Sequence, residues 1–160
     1  MKTIEIKAYE FSELNKKAKD KILCDFIDIN TNYDWWDFVC DDFNYLGLKV
    51  NSFDIYRQTI DIEFKNDIKE FCNNVTNNWH DTDLVNICDD YLANENNTNK
   101  ELDSKSTINE SYYKRLIADE VLTTLANEYY YQTSNEAIIE TIEANDYLFT
   151  ENGKSLNYVI

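Results

Sequence analysis

The chain has 160 residues, 43% of them apolar and 14% aromatic, with no proline, two glycines and a net charge of −16 at pH 7. That length suits one domain with a proper core, and the apolar content excludes a wholly disordered chain. With no glycine-rich loop, Walker and Rossmann phosphate sites are excluded, and the negative field disfavours nucleic acids and anionic membranes while drawing in basic partners.

The scarcity of helix breakers predicts an α+β fold: a predominantly helical single domain in which about six helices pack a small antiparallel sheet. Residues 3–9, TIEIKAY, alternate as a strand does, with Ile4 and Ile6 on one face. Ser12 is the expected N-cap of a first helix, with Phe11 before it as a hydrophobic staple. That helix runs to about Ile29 on a stripe of Leu14, Ala18, Ile22, Phe26 and Ile29. Lys16, Lys17, Lys19 and Lys21 crowd its first half and oppose the helix dipole, at a cost on the order of a few tenths of a kcal/mol.

The stretch from Asn32 to Gly47, NYDWWDFVCDDFNYLG, carries the most information. Trp35, Trp36, Val39, Cys40, Phe43 and Leu46 recur at helical spacing, which predicts a helix from about Tyr33 to Leu46. Asp34, Asp37 and Asp41 fall at i, i+3 and i+7, along another side of it. Gly47 stands where a helix takes a left-handed C′ residue.

Leu48 to Arg57 and Thr59 to Phe64 alternate as two strands, joined at Arg57-Gln58 and expected to pair with the N-terminal strand. A helix follows from Asn66 through Ile68, Phe71, Cys72, Val75 and Trp79, and another covers Leu84 to Leu92. Residues 94–105, NENNTNKELDSK, are polar and of low complexity and are expected to form a mobile loop. A long helix spans about Ile108 to Gln132, and Ser134 caps a last one carrying Ile138, Ile139 and Ile142. In the tail, Asn152-Gly153 between apolar segments is a hairpin signal.

No arrangement of residues identifies an enzyme, and no cofactor is expected. Cys24, Cys40, Cys72 and Cys88 lie at least 16 residues apart and form no CxxC pair. They are expected as free thiols, with no metal site. His80, the single histidine, has Asp81 and Asp83 beside it, but a lone histidine between helices is ordinarily a surface residue. Asp-rich helix faces are ordinarily solvated, and no EF-hand loop is present. A sponge for a small anionic nucleotide calls for an arginine-lined pocket, and the chain has only Arg57 and Arg115. No signal peptide and no apolar run of transmembrane length are found, so the expected location is cytosolic.

The charge is uneven: residues 1–21 carry a local balance of +2, and the other 139 carry −18. Asp25, Asp28, Asp34, Asp37, Asp41 and Asp42 lie within 18 residues that contain no lysine or arginine. Carboxylates on a rigid helix can stand where phosphates stand, and Tyr33, Trp36 and Tyr45 among them are aromatic anchors of the kind that dominate interface energies. These nine residues are the expected partner-binding set.

The runs YEFSELNKKAKDKI, NYDWWDFVCDDFNYLGLKVNSFDIYR and ANDYLFTENGK resemble small acidic proteins of bacteriophages and prophages, some of them labelled antitoxin-like. The resemblance implies a phage accessory protein acting in the host cytosol. The expectation is therefore a non-enzymatic inhibitor of a bacterial nucleic-acid-processing defence effector, foremost a CRISPR-Cas nuclease or its ribonucleoprotein complex. It would bind a basic protein rather than free nucleic acid or membrane. The alternatives are an antitoxin-like protein that neutralises a partner toxin, and a sponge for a small signalling nucleotide.

Overall fold

A computed structural model describes residues 5–98 and 109–157. Its architecture is α+β, with six α-helices and one two-stranded antiparallel sheet among the described residues. The helices are α1 (Lys16–Asp25), α2 (Asp37–Leu46), α3 (Ile68–Asn78), α4 (Thr82–Thr98), α5 (Glu110–Gln132) and α6 (Asn135–Ala144). The strands are β1 (Leu48–Asp54) and β2 (Thr59–Phe64). No helix among the described residues is long and apolar enough to cross a membrane. The chain divides into two compact units, residues 36–127 and residues 1–35 with 128–160, and α5 contributes to both.

In the unit of residues 36–127, α2 ends as its sequence dictates: Gly47 takes a left-handed φ of +102°, which costs glycine little. The chain turns there directly into β1. The hairpin that follows has Asn51 as a bulge, so Val50, Phe53, Ile60, Ile62 and Phe64 all pack on one core. Its turn is held by the Asp54 carboxylate, which accepts from the backbone N–H groups of Tyr56 and Arg57. The core itself centres on Phe43, Leu48, Phe71, Val75, Leu84 and Ile117, each shielded from solvent. Burying each of these contributes roughly 1.5–3 kcal/mol. Between α4 and α5, the buried Tyr113 hydroxyl donates to Asp90 at 2.6 Å and accepts from Asn94 at 2.6 Å.

That last contact corrects one expectation. Residues 94–98, read as the start of a mobile loop, instead complete α4. Asn94 is tied to Tyr113, and Glu95 is paired with Lys69 at 3.0 Å, contacts that a low-complexity composition does not disclose. Residues 99–105 of that expected loop lie outside the described residues.

The unit of residues 1–35 and 128–160 packs Phe11, Leu14, Ala18, Ile22, Ile138, Ile142 and Phe149 together. Here the N-terminal segment departs from expectation. It does not join the hairpin: residues 5–8 form no strand, and Tyr9 pairs instead with Phe149 through two backbone hydrogen bonds of 2.9 Å. Residues 3 and 4 of the expected strand lie outside the described residues. Phe149 also bridges Ser155 across the Asn152-Gly153 turn, so a buried aromatic from the tail, rather than the hairpin edge, supplies the pairing.

The first helix also starts later than expected. Phe11–Glu13 form a short 3-10 turn, and Asn15, not Ser12, caps α1 by accepting from the Ala18 N–H at 3.0 Å. The helix stops at Asp25, and residues 26–36 pass to α2 without regular structure. Ser134 caps α6 as its sequence indicates.

Candidate functional site

The nine expected partner-binding residues fall in both compact units. Trp36, Asp37, Asp41, Asp42 and Tyr45 belong to α2 and its N-cap, whereas Asp25, Asp28, Tyr33 and Asp34 belong to the other unit. The expected helix from Tyr33 is shorter by four residues. Tyr33 O accepts from the Trp35 N–H at 2.7 Å, a tight turn that no helix accommodates, and Asp34 is therefore not one turn before Asp37 on a continuous face.

On α2 the apolar side holds Phe43 and Leu46 in the core, with Trp36, Val39 and Cys40 partly buried against it. Phe43 stacks on Trp79 with ring centroids 5.1 Å apart, and Trp36 meets Phe53 edge-on at 5.8 Å. These contacts set the rotation of the helix about its axis. What they leave outward is a stripe at i, i+3, i+4 and i+7: Phe38, Asp41, Asp42 and Tyr45. Phe38 is 83% exposed and Tyr45 is 81% exposed. Asp37 stands exposed in the first turn, where its charge suits the helix dipole. No lysine or arginine occurs on α2.

The field of these carboxylates is felt locally. Burial pushes the Cys40 thiol up, and Asp37 and Asp41 on either side push it the same way. The thiol is held protonated at neutral pH, which is the opposite of what an attacking nucleophile needs.

In the other unit, Asn30 anchors the connection that carries Asp28, Tyr33 and Asp34. Its buried side chain donates to Gln132 O at 3.1 Å and accepts from the Thr141 hydroxyl at 2.6 Å. Asp28 and Asp34 are exposed, and so is Tyr33. Asp25 is different: Lys21, one turn earlier on α1, pairs with its carboxylate. Lys16 pairs likewise with Asp20 at 2.6 Å, and Lys19 donates to Ser12 O at 2.9 Å. The lysine-rich start of α1 is thus largely engaged by its own neighbours.

Phe38 lies off the apolar stripe and outside the expected partner-binding set, yet it shares the outward face of α2 with Tyr45. Its spacing of seven from Tyr45 was the available signal. A second feature joins residues far apart in sequence: carboxylate oxygens of Asp81, Asp83 and Glu120 lie within 4.8 Å of one another, beside the exposed His80. Asp81 is already engaged as a cap, accepting from the N–H groups of Asp83 and Leu84. Burial, and then the charges of Asp81, Asp83 and Asp119, push the Glu120 carboxyl up.

A raised carboxyl pKa makes the charged form a burden on the fold. The burden is absent below the ordinary carboxylate range and is fully present once the pH exceeds the raised value. Glu120→Gln is therefore expected to raise Tm modestly at pH 7 and to leave it unchanged near pH 3. Thermal melts across that range check this, and equal Tm values at pH 7 would refute it.

No family model matches the chain, and neither does any curated protein or solved structure.

Proposed function

We propose that this chain is a non-enzymatic, phage-type inhibitor that acts in the host cytosol. In this reading it binds the basic nucleic-acid groove of a bacterial defence effector, foremost a CRISPR-Cas nuclease. The observation that carries the reading is the outward stripe of α2, where Phe38 and Tyr45 flank Asp41 and Asp42 on a rigid helix with no basic residue. Exposed aromatic rings of this size are costly to leave in water and are the residue types that dominate interface energies. The carboxylates between them match a surface of arginine and lysine that otherwise holds phosphates.

The two parts of the stripe have separable roles. The carboxylates govern how fast the partner is found, and the rings govern how long it is held. Replacing Asp37, Asp41 and Asp42 together by asparagine is expected to slow association with the effector about tenfold or more at low salt. It should also flatten the dependence of that rate on salt. Surface-immobilised kinetics against purified CRISPR-Cas and restriction nucleases, run at two salt concentrations, measures both. An unchanged rate and slope would remove the electrostatic part of the reading. Failure of the unaltered chain to bind or inhibit any of these nucleases would remove the reading itself.

A further inference from the structure

The unit of residues 1–35 and 128–160 holds a groove of about 220 Å³ between the 3-10 turn and the C-terminal end of α6. Its lining combines apolar and acidic groups: Phe11, Ile142, Tyr147 and Leu148 on one hand, and Glu10, Glu143 and Asp146 on the other. Phe11 and Ile142 belong to the buried core, so the apolar part is backed by packed structure. No lysine or arginine lines the groove. We propose that it receives an arginine side chain of a basic partner protein.

Size, charge and shape each narrow the occupant. The volume is below that of ordinary small-molecule sites, and it suits one long side chain rather than a nucleotide. Three carboxylates with no cation among them call for a positive charge. A bare metal ion is the poorer match. Among the described residues the carboxylates that converge closely enough for one are Asp81, Asp83 and Glu120, not these. The apolar lining instead suits a cation carried on a hydrocarbon stem. Arginine fits better than lysine because its guanidinium is planar, weakly hydrated and able to bridge carboxylates with paired hydrogen bonds.

One lysine of the chain lies near the groove without entering it. Lys19 reaches Ser12 O at 2.9 Å and lies 5.7 Å from the centre of the Phe11 ring, yet it is not part of the groove lining. The local charge is also placed against the backbone's preference. Glu143 and Asp146 stand at the C-terminal end of α6, where the helix dipole disfavours anions. Asp146 takes a φ of +51° at a position that glycine or asparagine would occupy with less strain. A bound guanidinium would offset the repulsion.

This inference stands on the groove alone and is independent of α2. The test is a ¹⁵N-labelled titration of the full chain with the peptide acetyl-Gly-Arg-Gly-amide, beside its lysine and citrulline counterparts and spermidine. The arginine peptide is expected to give saturating shifts confined to the amides of residues 10–12 and 142–148. The lysine peptide should bind more weakly and the citrulline peptide should not bind. A double variant, Glu143→Gln with Asp146→Asn, keeps a residue that tolerates the left-handed turn, and it is expected to lose about tenfold in affinity. Shifts spread over the whole acidic surface would overturn the proposal, as would spermidine matching the arginine peptide or undiminished binding by the variant.

Discussion

Phe43→Ala is expected to destabilise the protein by about 3–5 kcal/mol, whereas Phe38→Ala on the same helix should change stability by less than about 0.5 kcal/mol. The two residues are chemically identical, and only their placement differs. Phe43 has no exposure, stacks on Trp79 at 5.1 Å and packs within the core of residues 36–127. Its removal would leave a cavity in the core it shares with Leu46, Val75 and Leu84, which are held by separate elements and cannot all move inward. Phe38 is 83% exposed, and removing its ring takes little from the fold. Urea unfolding of the two variants measures the contrast. Similar losses in both would mean that α2 is rotated from the orientation described. The comparison also protects binding experiments, because a Phe38 variant that folds normally reports on the partner alone.

Gly153→Ala is expected to cost about 2–4 kcal/mol, from backbone strain and steric overlap together. Gly153 has a φ of +76°, which side-chain-bearing residues rarely adopt, and it closes the tail turn by donating its N–H to Thr150 O at 2.8 Å. A Cβ at this position would lie 2.9 Å from the backbone carbonyl oxygen of Ala18 and 3.3 Å from the Ile22 side chain. Ala18 stands in the first turn of α1, and its carbonyl cannot retreat without disturbing the helix. Gly47 provides the control. Its φ is +102°, but a Cβ there would meet only the Asn74 side-chain nitrogen, at 3.8 Å. Gly47→Asn should therefore carry strain alone and cost less than Gly153→Asn, which should be nearly as harmful as alanine. Thermal or urea unfolding of these variants separates strain from overlap, and full recovery by asparagine at position 153 would show that strain alone was at work.

Local chemistry made much of this protein legible from sequence. The left-handed stop at Gly47, the hairpin alternation from Leu48 to Phe64, the Ser134 cap and the turn at Asn152-Gly153 all act over a few residues. Their information is therefore contained in a few residues. The apolar periodicities of α3 and α6 were equally readable, since each helix buries one continuous side. The density of aspartate and aromatic residues around α2 was visible as well.

Tertiary contacts decided the rest. Ile4 and Ile6 alternate as in a strand, yet pairing energy comes from the partner, and Tyr9 finds it in Phe149, some 140 residues along the chain. The row Asp34, Asp37, Asp41 presumed one continuous helix, but the turn at Tyr33–Trp35 interrupts it. Asp25 belongs to the acidic run in sequence, but Lys21 on the same helix pairs with its carboxylate. By itself, then, the sequence determined the net charge, the main helices, the hairpin and the turns, because these follow from composition and near-neighbour chemistry. Only the tertiary structure decided that Trp36 lies partly buried against the core while Tyr45 turns to solvent, and that Glu10 and Phe11 share a groove with Glu143 and Asp146. The orientation of a helix and the meeting of distant residues are set by what packs against them.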